Sequence, residues 1–129
     1  MALNQETILK DDSFLVSETD SRGNIIFAND EFCNIAEYKL DELLGKPHNI
    51  VRNPYMPKAA FKDLWDTVKG GNVWSGFVKN NTKSGGYYWV FATVYPFFND
   101  DNQQCYLSCR RKASSEDIKK ATELYRTMS

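Results

Sequence analysis

Residues 45–57 read GKPHNIVRNPYMP and lead into a helix-like run, 58–69, and then into the strand-like run WSGFVKN, 74–80. The segment holds the only histidine of the chain, His48, with an arginine, two asparagines and a tyrosine between prolines. Polar and aromatic side chains are mixed here as a flat, hydrogen-bonding ligand requires. We therefore predict that this segment borders a binding site.

On both sides of the segment, the sequence has the β-branched and aromatic runs that are typical of strands. Residues 20–24 are rich in turn formers and separate two apolar runs, which indicates a hairpin. Residues 81–86 and 99–102 give two more hairpin turns. The predicted strands are 14–19, 25–28, 74–80, 87–98 and 103–111.

Helical patterns occupy the remaining segments. Asn29 or Asp30 is positioned to cap a first helix, and residues 41–44 form a single helical turn. Pro57 opens the helix-like run over 58–69, and a polar helix over 114–128 follows the last strand. We predict an α+β fold with a five-stranded antiparallel sheet, short helices on one face and a C-terminal helix.

The length and the net charge of the chain limit the classes of protein to which it can belong. A chain of 129 residues fits one globular domain. A net charge of −1 with scattered Lys and Arg argues against nucleic-acid partners. No apolar run reaches the length of a membrane span, and residues 1–12 lack the apolar middle of a secretory signal. We therefore expect a cytoplasmic location and no direct membrane insertion.

Metal and enzyme sites are poorly supported by the sequence. Cys33, Cys105 and Cys109 are odd in number and lack the paired spacing of a zinc site, so we expect reduced cysteines and no metal ligands. The chain has no Walker-type loop and no Gly-x-Gly-x-x-Gly turn. We predict no catalytic residues and no enzyme activity.

The strand over 87–98 carries apolar groups on both faces. Alternation sends Tyr88 and Val90 to one face and Trp89 and Phe91 to the other. An aromatic outer face indicates a covered surface, either a homodimer contact or the docking site of a downstream domain. Packing by the termini of the same chain is the open alternative.

Several short sequence motifs together resemble those of the PAS family. They are TDSRGNIIFAN (19–29), GKPHN (45–49), WSG (74–76), KN (79–80) and YWV (88–90). More narrowly, HNIVR (48–52), MPKAAF (56–61) and LW (64–65) resemble the PAS sensors of bacterial aerotaxis receptors, which hold FAD without a covalent bond. The resemblance implies a PAS sensor domain over 14–112, with an N-terminal extension over 1–13 and a C-terminal connector helix over 113–129.

The same resemblance implies a redox or oxygen sensor that passes the state of its FAD to a chemoreceptor, a kinase or another downstream signalling domain. The eight residues predicted to contact the cofactor are Asn29, His48, Asn49, Arg52, Trp65, Trp74, Asn80 and Tyr88. An amide can both donate to and accept from the flavin edge, whereas an arginine matches phosphate oxygens.

Simpler roles remain open for several of these residues. Asn29 also suits a helix cap, Asn80 also suits the start of a hairpin, and Trp65 also suits a core. Outside the set, three roles remain open for Arg110: it carries a signal, pairs with an acid near the tail, or is a solvated strand charge. The alternative function is a PAS module without flavin, which either only dimerises or binds haem through His48.

Overall fold

The computed structural model describes residues 5–128, which form a five-stranded antiparallel sheet with helices. The strands are β1 (Leu15–Thr19), β2 (Ile25–Ala28), β3 (Trp74–Asn81), β4 (Tyr87–Phe98) and β5 (Gln104–Lys112), in the spatial order β2-β1-β5-β4-β3. The helices are α1 (Asp30–Ala36), α2 (Leu40–Leu43), a 3₁₀ helix (His48–Val51), α3 (Lys58–Lys69) and α4 (Ser115–Thr127). The predicted fold class is confirmed.

The turn of the first hairpin is formed by residue types that favour turns. The Oδ1 atom of Asp20 accepts from the backbone N–H groups of Arg22 and Asn24, both at 2.9 Å. Gly23 has φ +85°, a backbone conformation that residues with a Cβ rarely adopt. The turn therefore has a fixed shape, and it projects next to α3.

The inner face of the sheet packs against α1, α2 and α3. Phe32 of α1 and Leu43 of α2 are fully buried in the main core, and Val68 anchors α3 in the same core. At the edge of β3, the ring of Trp74 lies across Gly76, where an added Cβ would come within 2.5 Å of a ring carbon. The indole N–H of Trp74 donates to Asp63 of α3 at 2.9 Å, so this tryptophan connects the sheet to the helix.

The outer face of the sheet is partly covered by α4. The Ser114 hydroxyl caps this helix by accepting from the N–H of Asp117 at 3.1 Å. Tyr125 of α4 stacks on Trp89 of β4, and its hydroxyl donates to the carbonyl of Phe77 at 2.5 Å. Packing by a terminus of the same chain, left open by the sequence, is therefore found here. Phe91, Tyr95 and Phe98 remain exposed on β4.

The N-terminal residues extend the sheet locally. The N–H of Thr7 donates to the carbonyl of Tyr87 at 2.8 Å, and the N–H of Tyr87 donates to the carbonyl of Gln5 at 3.0 Å. Leu9 is buried in the core. Within residues 5–128, no helix combines the length and the apolar character needed to cross a membrane.

Candidate ligand pocket

A cavity of about 380 Å³ lies between the inner face of the sheet and the layer formed by the first hairpin turn, the 3₁₀ helix and α3. This volume is within the usual range of small-molecule sites. The apolar walls come from α3 on one side and the sheet on the other. They are formed by Phe61, Leu64, Trp65, Val78, Ala92 and Val94.

Small side chains on the central strands create this space. Ala92 and Ser108 face the cavity from neighbouring strands, where larger residues would reach α3. Trp65 forms the opposite wall, and its ring contacts Tyr106 edge-on at 5.3 Å between centroids. A Cβ on Gly23 would lie 3.4 Å from the same ring, so the hairpin turn supports Trp65 from behind. The aromatic wall is thus held in place without a ligand.

The floor of the cavity contains a buried arginine. Arg110 is 4% exposed, and its guanidinium donates to the Ser17 hydroxyl at 3.0 Å and to Nε2 of His48 at 2.8 Å. It also lies 5.0 Å from the ring centroid of Phe32. Arg110 is neither solvated nor paired with an acid of the tail within residues 5–128, so two of the three roles that the sequence left open are wrong. A role of Arg110 in signalling stays a prediction.

His48 is neutral in this arrangement. A guanidinium can only donate, so Nε2 of His48 must accept and the ring proton must sit on Nδ1. Burial, and then the charge of Arg110, lower the pKa of His48 from 6.5 to about 3. The histidine therefore acts as a fixed acceptor for Arg110 at neutral pH.

Arg110 carries a charge that the described part of the chain does not neutralise. Burial lowers its pKa to about 10, which leaves it protonated at neutral pH. Among residues 5–128, the ion pairs join Lys62 to Asp66, Lys83 to Glu42, Lys112 to Asp11 and Lys120 to Glu116. A buried cation without a carboxylate is unfavourable unless other groups compensate it. The floor is thus suited to a ligand with acceptor atoms or negative charge.

The rim of the cavity is cationic as well. Arg22, Arg52 and Lys69 line it, and none of them belongs to an ion pair of residues 5–128. The guanidinium of Arg52 lies 4.0 Å from the ring centroid of Phe61, which holds it against the apolar wall. A rim with three cations suits phosphate groups.

Five of the eight predicted contact residues line the cavity: His48, Asn49, Arg52, Trp65 and Asn80. They come from the 3₁₀ helix, α3 and β3, which the chain brings together around one space. Asn80 is 4% exposed, so its amide is a buried polar group at the cavity wall. The backbone of Arg52 pairs with that of Asn80, which joins the segment 45–57 to the edge of the sheet.

The other three predicted residues, Asn29, Trp74 and Tyr88, lie outside the cavity lining. Asn29 caps α1, because its Oδ1 accepts from the N–H groups of Phe32 and Val16, both at 3.0 Å. Its Nδ2 donates to the carbonyl of Phe14 at 2.8 Å. These bonds occupy the amide, and a contact between Asn29 and a cofactor stays a prediction.

Tyr88 is fully buried beside the cavity. Its hydroxyl has no hydrogen-bond partner among residues 5–128. Burial raises the pKa of Tyr88 to about 12, while the nearby Arg110 and Asn80 act in the opposite direction. The phenol is therefore a neutral and unpaired group next to the polar floor.

The lining residues that sequence reasoning missed include the polar side chains of Arg22, Lys69, Ser108 and Arg110. A signal for two of them exists in the alternation of β5. Tyr106, Ser108 and Arg110 fall on one face, and pairing with β4 sets Ser108 opposite Val94 and Arg110 opposite Ala92. Two polar residues, Ser108 and Arg110, on the strand face that packs against the apolar inner layer therefore indicate a binding site.

The fold and this pocket define a small α+β domain with a cavity at the inner face of its sheet, and residues 25–110 match the PAS-fold family. The chain belongs to this family, as its sequence motifs predicted. It is 46% identical to the aerotaxis receptor of Escherichia coli (strain K12), over 97% of this chain and 25% of that protein. It is 30% identical to the nitrogen fixation regulatory protein of Klebsiella oxytoca, over 84% of this chain and 22% of that protein.

Among solved structures, the light state of the blue-light photoreceptor Aureochrome1 LOV is similar, with a TM-score of 0.74. The match covers 87% of this chain and 91% of that chain at 20% identity, which shows a shared fold. The chain spans about a quarter of the length of these two curated relatives.

Proposed function

We propose that this PAS domain binds FAD non-covalently in the cavity and signals the redox state of the flavin to a chemotaxis or kinase partner. The observation that carries the proposal is the slot between Trp65 and the sheet, with a buried amide, Asn80, and a buried cation, Arg110, at its polar end. The 46% identity to an aerotaxis receptor supports the same function.

The residues present fit a flavin. A planar ring system needs two apolar walls and a hydrogen-bonding edge, and the cavity offers Leu64 and Trp65 opposite Val78 and Ala92. The polar edge of the ring would be held by Asn80, which can both donate and accept. The uncompensated charge of Arg110 would be offset by the acceptor atoms of the ring.

The rim would hold the rest of the cofactor. Arg22, Arg52 and Lys69 would bind the diphosphate, since each is cationic and without an ion-pair partner in residues 5–128. His48 would act through Arg110, by fixing the position of the guanidinium at 2.8 Å. Asn49 would contribute a further polar contact at the mouth.

A bound flavin supplies reversible electron transfer at a potential set by its surroundings. Arg110 would favour the more negative state of the ring through its buried charge. Asn80 would change its hydrogen bonds with the flavin state and so alter β3. The proposal includes a cytoplasmic location, a homodimer, a non-enzymatic role, and the division into 1–13, 14–112 and 113–129.

The haem alternative is less well supported by the geometry. Haem ligation through Nε2 of His48 would require its hydrogen bonds with Arg110 and Ser17 to break. It would also leave Arg110 buried with only Ser17 as a partner. We therefore expect no histidine-dependent Soret band.

The test is an absorbance spectrum of freshly purified protein, with the released chromophore identified by mass. We expect the bands of oxidised flavin and the mass of FAD, and we expect Asn80→Ala to weaken FAD uptake. Ser75→Ala on the outer face of β3 is the matched control that keeps full uptake. Protein that is colourless and takes up neither FAD nor FMN would contradict the proposal.

A further inference from the structure

The segment 52–57 contacts both the cavity and the C-terminal helix. Arg52 lines the cavity, and its backbone pairs with that of Asn80. The side chain of Asn53 donates to Oδ1 of Asn81 at 2.5 Å. This segment therefore follows any movement of the cavity edge of β3.

Tyr55 extends the contact to the other side of the sheet. Its backbone N–H donates to Oδ1 of Asn53 at 2.8 Å, and its hydroxyl donates to the carbonyl of Thr122 in α4 at 3.0 Å. The Tyr55 ring also meets Trp89 edge-on, with 6.4 Å between centroids. Because β3 is an edge strand, this chain of contacts passes around the sheet and not through it.

The outer-face contacts of Tyr55 converge on the C-terminal half of α4. Trp89 stacks on Tyr125 of α4 at an interplanar angle of 14°. The ammonium of Lys79 lies 4.7 Å from the ring centroid of Tyr55 and 4.4 Å from that of Tyr87. Tyr55 is nonetheless 40% exposed, so it is held by a few specific contacts and not by burial.

We propose that Tyr55 is a positioning residue that couples occupancy of the cavity to the docking of α4. A ligand that engages Arg52 orders the segment 52–57, and Tyr55 passes that order to Thr122. The coupling is reciprocal, so a firmly docked α4 also favours the ligand-bound form of the segment. The ligand part of this inference rests on the proposed binding of FAD.

Amide hydrogen exchange over α4, residues 115–127, tests the coupling with and without added FAD. We expect FAD to slow exchange in α4 by about 5-fold, at the lower end of typical couplings. In Tyr55→Phe, which keeps the ring and loses one hydroxyl, we expect this slowing to disappear. FAD affinity is measured in parallel by flavin fluorescence titration.

Tyr125→Phe is the matched control. It also removes one hydroxyl bond to a backbone carbonyl and also loosens α4, but its partner Phe77 is not part of the segment 52–57. We expect faster basal exchange in this variant and an undiminished response to FAD. A full response to FAD in Tyr55→Phe would overturn the coupling.

A ligand-free arm separates this inference from the proposed function. Asn53→Ala removes the acceptor of the Tyr55 N–H, so it should speed α4 exchange in the otherwise unchanged chain. In a Tyr55→Phe background, we expect Asn53→Ala to add nothing, because the pathway is already broken. Additive effects would overturn the coupling, whereas failure of FAD to bind would refute only the proposed function.

Discussion

The two halves of the inner layer use the same architecture for different purposes. In the half under α1, Leu15, Ile25 and Phe32 are all fully buried and fill the space between helix and sheet. In the half under α3, the smaller residues Ala92 and Ser108 face the inner layer and leave a cavity. The volume of the strand side chains, and not the backbone, therefore decides which half can receive a ligand.

The polar groups of the two halves also differ, because one is fully used by the fold and the other is not. Asn29, beside α1, has its amide bonded to three backbone groups and works as a structural clamp. Arg110, beside the cavity, is bonded to two neutral side chains and has no carboxylate partner within residues 5–128. A satisfied group stabilises the fold, whereas an uncompensated one indicates where a ligand would contribute.

The most direct test of the comparison adds the same side chain to each half. Ala36→Leu, at a fully buried position of α1, should lower the free energy of unfolding by about 1–3 kcal/mol through overpacking. Ala92→Leu, facing the cavity, should leave the free energy of unfolding unchanged or higher. The same change should weaken FAD binding on the order of 100-fold, equivalent to about 2.7 kcal/mol.

Denaturant unfolding and flavin titration of both variants measure these effects. Ala36→Leu provides the control for FAD binding, since any loss of affinity there must come from unfolding and not from a filled cavity. The comparison fails if Ala92→Leu destabilises as much as Ala36→Leu, because the cavity would then be too small or too rigid to take a leucine.

The sequence was sufficient for the five strands and the four α-helices because their signals are local, but it did not indicate the 3₁₀ helix His48–Val51. The turn at Asp20–Asn24, the cap at Ser114 and the alternation in β4 each act within a few residues. The site was only partly predictable, because Arg110 meets His48 and Ser17 through pairings of distant strands. The residue types of the segment 45–57 indicated which of its side chains border the site. The cavity itself depends on small strand residues, which give no signal of a site in the sequence.

The pH dependence of stability that His48 causes tests the same difference between the polar groups of the two halves. Its pKa is about 3 in the folded protein and 6.5 without these neighbours, so the unfolded chain binds more protons between these values. Stability is therefore fully present above pH 6.5 and is lost as pH falls towards 3. From pH 7 to 4.5, we expect this residue to remove about 2 kcal/mol from the free energy of unfolding.

His48→Gln isolates this effect, because glutamine offers an acceptor to Arg110 but cannot be protonated. His48 is the only histidine of the sequence, so no other histidine titrates in that window. Urea unfolding at several pH values should show a steeper loss in the unchanged protein than in the variant. Parallel pH profiles would contradict a neutral imidazole that accepts from Arg110 at this position.

The smallest effect concerns Tyr88, whose buried hydroxyl has no hydrogen-bond partner among residues 5–128. Tyr88→Phe removes a buried group that makes no hydrogen bond in residues 5–128, so we expect it to raise the free energy of unfolding by up to about 1 kcal/mol. The control Tyr125→Phe loses a real hydrogen bond to Phe77 and should lower it by about 1 kcal/mol. Opposite signs in chemical denaturation would confirm that the Tyr88 hydroxyl does not stabilise the fold, whereas the Tyr125 hydroxyl does. A loss of stability in Tyr88→Phe would show instead that this hydroxyl supports the fold, for example through Arg110.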